Sequence, residues 1–323
     1  MNDVTVIIPN YNGIKYIADC LHALEKQTTT GLSMGILVVD NGSEDGSAEL
    51  VERKYPEVEL LRLPHNTGFC HAVNVGISHS ESPYVILLNN DTKVYPGFVE
   101  ALYRSITGRG DAFSVSARMR MWDREELLDD AGDLYCVLGW AFARGKGKPA
   151  EGYGKACRVF SACGGAAIYR KAVFSEIGLF DELHFAYLED LDIGYRARIH
   201  GYFNYYEPAA DVLHFGSAST GARYNTWKTE RAAANSVYVI YKNMPFLQIL
   251  WNMPFLLVGF LVKFLFFCAK RMGILYLRGL TQGIRLAHSK EGRAGKVRFR
   301  WDRVPCYLRI QWELYLNLVR RFL

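Results

Sequence analysis

The chain has 323 residues, half of them hydrophobic, and a formal net charge of +5. That length and apolar content exclude a disordered chain and leave room for a large core and more than one structural unit. The charge is uneven: residues 270–323 hold thirteen Lys or Arg against Glu291, Asp302 and Glu313, so a mildly acidic body precedes a basic tail that calls for an anionic partner. Seven cysteines, with no C-x-x-C pair, suggest neither a zinc site nor a disulfide framework and fit a reducing cytosol. Met1-Asn2-Asp3 runs straight into an apolar strand, so no secretory leader is expected.

Four strand-like runs open the chain: Val4–Ile8, Ile36–Val39, Glu59–Leu63 and Tyr84–Leu88. They lack the alternation of a half-exposed sheet and suit a parallel sheet covered on both faces. Helical spacing separates them, in Ile14, Ile17, Ala18, Leu21 and Leu24, then Ala48, Leu50, Val51 and Tyr55, then Ala72, Val73 and Ile77. Repeated βα units predict a doubly wound α/β sheet. Residues 108–158, rich in Gly and charge and including Gly145-Lys146-Gly147-Lys148-Pro149, read as a flexible connection or lid. Order resumes at Phe160–Tyr169, and a helix from Lys171 to Ile177 stops at Gly178. From residue 227 the pattern is helical, with Met244–Ala269 dense in Phe, Leu and Val before the basic tail. Two regions are expected, 1–226 and 227–323.

The chemistry-bearing residues gather where the strands end. Tyr84–Leu88 stops on Asn89-Asn90-Asp91, hard oxygen donors at a strand's carboxyl end, where open α/β sheets bind ligands. Carboxylate and amide oxygens suit Mg²⁺ or Mn²⁺, which usually arrive with substrate phosphates; Asn and Asp also make ordinary turns. Asp40 ends the second run and can accept a nucleobase N–H, although Asp40–Ser47 also reads as a helix cap. Pro9, Asn10 and Tyr11 end the first run, Asn66 and Gly68 open the third helix, and Gly164-Gly165 marks a close backbone approach. Glu189-Asp190 opens a helix behind an aromatic-rich stretch, where half-burial raises a carboxylate pKa towards general-base use. Asp192 and Arg196 are spaced to pair on that helix. His214, at a strand end, is either structural or a metal ligand.

The ordered set Val6–Asn12, Val38–Ser47, Asn66–Ile77, Leu87–Asp91, Gly164–Arg170 and Glu189–Arg196 resembles the family 2 glycosyltransferases, and within them the bacterial rhamnosyltransferase branch. The resemblance spans about residues 4–220 and rests on six motifs in one order. It implies a GT-A nucleotide-sugar-binding fold, a divalent metal (Mg²⁺ or Mn²⁺) and inversion at the anomeric carbon. By motif position Asp40 holds the nucleobase, and Asn90 and Asp91 stand in the D-x-D place with Asp91 as metal ligand. Asp190 is the base and His214 completes the metal site. Pro9, Asn10, Tyr11, Asn66, Gly68, Asn89 and Gly165 fall to the donor, and Glu189 to the catalytic pair. Amides at 89 and 90 depart from the commonest pattern and leave metal affinity to one carboxylate, the donor diphosphate and His214. The implied donor is dTDP-rhamnose, with a UDP-sugar as the alternative, and the implied acceptor a lipid-linked sugar or oligosaccharide in cell-surface polysaccharide synthesis.

A sugar nucleotidyltransferase shares this architecture but needs a Gly-rich, basic loop after the first strand, and Pro9–Gly13 has no Arg and one Gly. An inactive scaffold is opposed by the intact Asp40, Asp91 and Asp190. Nucleic acid is set aside because the tail interleaves its charges with Leu, Tyr and Trp at helical spacing. Leu308, Trp312, Tyr315, Val319 and Phe322 share a face with Arg309, Arg320 and Arg321 nearby, as on an interfacial helix. A core or homodimer contact is the other use of such a stripe. Pro245, Gln248, Asn252, Pro254 and Lys263 interrupt Met244–Ala269, and a single span would put the basic tail opposite the catalytic region. An anionic membrane surface on the cytoplasmic side of the inner membrane is therefore the expected partner.

Overall fold

The computed structural model describes residues 2–216 and 225–321. Its elements run β1 (Val4–Asn10), α1 (Ile17–Glu25), β2 (Met34–Asp40), α2 (Ser47–Lys54), β3 (Glu59–Arg62), α3 (Phe69–His79), β4 (Tyr84–Leu88), β5 (Thr92–Val94) and α4 (Phe98–Thr107). Then come β6 (Ala112–Met121), β7 (Arg124–Asp130), β8 (Asp133–Cys136), β9 (Trp140–Ala143), β10 (Cys157–Val159), β11 (Ala166–Arg170), α5 (Lys171–Ile177), α6 (Glu189–Ile199) and β12 (Phe203–His214). The helices α7 (Thr226–Asn243), α8 (Phe246–Ala269), α9 (Gly273–His288), α10 (Lys290–Ala294) and α11 (Val304–Arg320) complete the chain.

The sheet order is β10-β12-β6-β11-β4-β1-β2-β3. The β4-β1-β2-β3 half is parallel, as the uninterrupted apolar runs predict, and β11 joins it antiparallel to β4. Val6, Ile7, Ile8, Val38, Val39, Ile86 and Leu87 are fully buried, each contributing about 1.5–3 kcal/mol. Successive residues of β1 enter different cores, Ile7 on one face and Val6 and Ile8 on the other. Gly76 lets α3 press onto β1: a Cβ there would meet Ile7 Cγ2 at 2.5 Å. This close approach carries the loop before α3 to the rim of the sheet.

Residues 108–158 are not a loose lid. They form β6 to β9 and the start of β10, and β6 is a central strand with a buried run from Ala112 to Ala117. The Gly residues that suggested flexibility punctuate tight turns: Gly132, Gly139, Gly145 and Gly147 all have φ between 71° and 89°. Phe246–Ala269 likewise forms one helix, α8, despite its interruptions. Pro245 is the N-cap of α8, while Gln248 and Asn252 face Gln311 of α11. A third core joins β8 and α6 to α7, α8 and α11 through Tyr135, Leu191, Tyr195, Val239, Leu256 and Leu314. The helical region therefore shares a core with the sheet region across the expected junction.

Candidate active site

The loops after β1, β2, β3 and β4 open on one rim. With the loop before α6, the end of β12 and the start of α7 they enclose a cavity of about 670 Å³, within the range of small-molecule sites. Pro9, Asn10 and Tyr11 line it from the first loop, and Asn66 and Gly68 from the third. Asn89, Asn90, Asp91 and Gly165 form the wall at the sheet, and Glu189, Asp190 and His214 also line the cavity.

Asp40 does not line the cavity; Asn41 does. The Asp40 carboxylate accepts from Asn10 Nδ2 at 2.8 Å and from the Ser43 amide at 3.0 Å. Asn10 Nδ2 also reaches Ser47 Oγ at 2.9 Å, and Asn10 Oδ1 accepts from Asn90 Nδ2 at 2.7 Å. A buried polar chain thus ties three loops together, and the Asn90 amide is engaged as a brace. Asn41 does the same for the third loop, accepting from the Thr67 amide and hydroxyl and donating to Gly68 O and Asn66 Oδ1. The Asn89 amide donates to Gly165 O at 2.9 Å, and a Cβ on Gly165 would meet Asn89 Nδ2 at 3.0 Å.

Asp91 Oδ1 lies 3.4 Å from His214 Nε2. His214 Nδ1 pairs with Asp129 Oδ2 at 2.8 Å, and Asp129 Oδ1 with Lys146 Nζ at 2.5 Å. Burial alone would depress the His214 pKa, but the carboxylates of Asp129 and Asp91 raise it to about 9. Burial also works against an ionised Asp129, whose pKa is nonetheless lowered by His214 and Lys146. The donor set fits a divalent ion. Adjacent ligands of an ion bound at about 2.1 Å stand roughly 3 Å apart, and a metal-ligating His characteristically gives its other nitrogen to a carboxylate.

At the start of α6, Asp190 Oδ2 accepts from the Gly164 amide at 3.0 Å, while Oδ1 has no hydrogen-bond partner. Burial raises the Asp190 pKa to about 6. Glu189 is raised well above the usual carboxylate value by burial and then by the charge of Asp190. Asp130 and Asp133 add to this acidic neighbourhood: burial lifts Asp130 to about 7 and Asp133 well above its ordinary value. Two three-residue acidic groupings stand out among the described residues, Asp130–Asp133–Cys163 and Asp181–His184–Asp192. The second is already filled by cations: Lys242 Nζ lies 2.6 Å from Asp181 and 2.9 Å from Asp192, and Arg196 holds Asp192 at 2.8 Å.

Sequence reasoning missed Asp129, Asp130, Asn41 and the aromatic wall of Phe185, Tyr187 and Trp227. The first two sit in the segment read as a lid. Trp227 fell just beyond the expected catalytic boundary. The aromatic spacing of Phe185 and Tyr187 was visible but carried no stated role.

The glycosyl transferase family 2 profile matches residues 5–178. The chain belongs to that family. It is 29% identical over 249 residues to the N-acetylglucosaminyl-diphospho-decaprenol L-rhamnosyltransferase of Mycobacterium tuberculosis, covering 68% of this chain and 79% of that one. Glycosyltransferase GlyG of Streptococcus pneumoniae is 30% identical over 42% of this chain and 46% of its own length. The crystal structure of GalNAc-T7 with UDP, GalNAc and Mn²⁺ superposes with a TM-score of 0.60 at 16% identity, covering 75% of this chain and 48% of that one. The mannosyltransferase PcManGT from Pyrobaculum calidifontis, solved with GDP-Man and Mn²⁺, gives 0.53 at 16% identity over 96% of this chain and 87% of its own. The fold of this glycosyltransferase is GT-A, as its motifs led us to expect, and its branch is rhamnosyltransferase-like.

Proposed function

We propose that this glycosyltransferase moves L-rhamnose from dTDP-rhamnose, with inversion, to a lipid-linked sugar at the cytoplasmic face of the membrane. The observation that carries the chemistry is that Asp190, whose buried Oδ1 has no hydrogen-bond partner, lines the same cavity as Asp91 and His214. The transferred sugar and the acceptor follow the rhamnosyltransferase relative, whose name gives L-rhamnose and an N-acetylglucosaminyl-diphospho-decaprenol acceptor, and dTDP follows the sequence resemblance.

Glycosyl transfer needs three things from the protein. The leaving diphosphate must be neutralised, the acceptor hydroxyl must lose a proton, and the two must be held in line. Asp91 and His214 would hold a divalent ion, which when bound supplies charge neutralisation to the diphosphate. Asp129 orients His214 for that task. Asn10, Asn41 and Asp40 keep the donor loops fixed, so the nucleotide meets preformed walls. The Gly164 amide pins one Asp190 oxygen and leaves the other without a partner, and this carboxylate would take the acceptor proton. A single base without a nucleophile beneath the sugar gives inversion.

Membrane attachment draws on α8, the one helix among the described residues long and apolar enough to cross a bilayer, although one face of it is packed on the protein. Trp251 and Leu250 on α8, Ile274 on α9 and Trp312 on α11 are exposed, and the tail adds its cations. This suits an interfacial surface against anionic lipid. Phe322, expected on the same stripe, lies outside the described residues.

The test is a donor panel with purified protein, Mn²⁺ and an N-acetylglucosaminyl-diphospho-lipid, the product configuration being read by proton NMR. Rhamnose transfer with inversion, lost in Asp91→Ala, is expected. Transfer only from a UDP-sugar, or with retention, overturns the assignment.

A further inference from the structure

The cavity wall before α6 is aromatic. Phe185 and Tyr187 come from the loop, and Trp227 from the first turn of α7. Their rings meet edge to face, Phe185 to Trp227 at 6.1 Å and Tyr187 to Trp227 at 5.6 Å between centroids. All three line the cavity that Asp190 lines. Trp227 is 40% exposed, so ring surface stays open there. Arg231, one turn further along α7, sets its guanidinium 5.5 Å from the Phe185 ring and 6.0 Å from that of Trp227, gripping the pair.

The backbone beneath this wall is strained. Phe185, Tyr187 and Leu188 have φ of 60°, 71° and 65°, in the left-handed region that side chains rarely adopt. A turn with no other duty would use glycine at such positions. The strain is held by Asn235 of α7, a residue with no exposed surface. Its Nδ2 lies 3.0, 2.9 and 2.7 Å from the carbonyl oxygens of His184, Ala186 and Tyr187. One amide from the helical region therefore fixes three rungs of the loop that ends on Glu189-Asp190. Strain kept in place where side chains face a cavity points to a ligand.

A general base must stand within hydrogen-bond reach of the proton it takes. The ring presented beside Asp190 is therefore the acceptor's. An aromatic face meets the apolar C–H face of a pyranose and leaves its hydroxyls to polar neighbours. We propose that Phe185, Tyr187 and Trp227 form the acceptor subsite, taking the pyranose whose hydroxyl Asp190 deprotonates. This rests on reading the chain as a glycosyltransferase with Asp190 as base. The competing occupant is the donor nucleobase, because Phe185 also packs over Gly68, where a Cβ would meet its ring at 2.6 Å.

Full-length protein, Trp227→Ala and Trp227→Phe are assayed with dTDP-rhamnose and a short-chain N-acetylglucosaminyl-diphospho-lipid. Affinity for dTDP with Mn²⁺ is measured separately by calorimetry. Trp227→Ala should raise the acceptor KM roughly ten-fold, equivalent to about 1.4 kcal/mol, with dTDP affinity unchanged, and Trp227→Phe should recover most of it. Asn235→Asp, which sets a carboxylate against three carbonyls, should lower kcat with dTDP affinity retained. Weakened dTDP binding in Trp227→Ala with an unchanged acceptor KM assigns the wall to the donor and overturns the subsite. A wild-type acceptor KM together with wild-type dTDP binding overturns it as well. Wild-type protein that turns over no donor overturns the functional reading itself.

Discussion

Asp190 carries its two oxygens into different surroundings, one on the Gly164 amide and one buried without a hydrogen-bond partner. Asp190→Asn keeps the acceptor for that amide, so folding and donor binding should persist while kcat falls by roughly 10² or more, the scale of a general base. Near-wild-type kcat would remove Asp190 from the mechanism. Because burial raises its pKa to about 6, the carboxylate is lost on the acid side earlier than an ordinary one. The kcat profile should rise as pH climbs through about 6, and a profile flat from pH 5 to 8 would contradict the assignment. The place of Asp190 on the cavity was legible because the Glu-Asp pair opens a helix behind an aromatic-rich stretch. Asp129 was not, since its partnership with His214 exists only through strand pairing: β6 pairs with both β7 and β12.

At the scale of elements, α6 and α7 are bolted together by a buried charge cluster. Asp192, with no exposed surface, accepts from Arg196, Lys242 and Asn243. Its pKa is driven down because the nearby cations outweigh the burial that opposes ionisation. A depressed carboxylate contributes stability above its unfolded value, about 4, and loses it as pH falls towards the folded value. Asp192→Asn leaves two buried cations short of a partner and should cost about 3–5 kcal/mol in urea unfolding at neutral pH. An undiminished midpoint would show the cluster to be dispensable. The spacing of Asp192 and Arg196 announced their pairing. Lys242, fifty residues on, did not, because nothing local distinguishes a buried lysine from a solvated one. The strands of 112–143 were hidden for a related reason. Their turn glycines and charged edges imitate a linker, and only β6, wedged between β11 and β12, reveals a sheet.

Across the whole molecule, most of the exposed large apolar side chains among the described residues lie on α8, α9 and α11. Leu250, Trp251, Leu257 and Trp312 are each more than half exposed, and Trp251 Nε1 bonds Tyr315 Oη at 2.7 Å, joining α8 to α11. Such a surface is rare on a soluble monomer and marks a partner. Leu250→Glu with Trp312→Glu should shift the protein from the membrane to the soluble fraction and weaken binding to anionic liposomes, with activity on a detergent-dispersed acceptor retained. Unchanged liposome binding would remove the membrane from the account. Removing everything after residue 242 is a poorer test, since it strips Asn243 from Asp192 and uncovers Tyr135, Leu191 and Tyr195.

The amide of Asn235 has a consequence in time. Chains emerge from the ribosome amino end first, and domains fold as they emerge. The sheet, the donor loops and Asp190 are all made before the helix that holds the loop of Asp190 in shape. A nascent chain can therefore complete the sheet side of the cavity while the loop that ends on Asp190 still lacks its brace. That brace arrives only with the helical region, which also carries the exposed apolar side chains of α8 and α11.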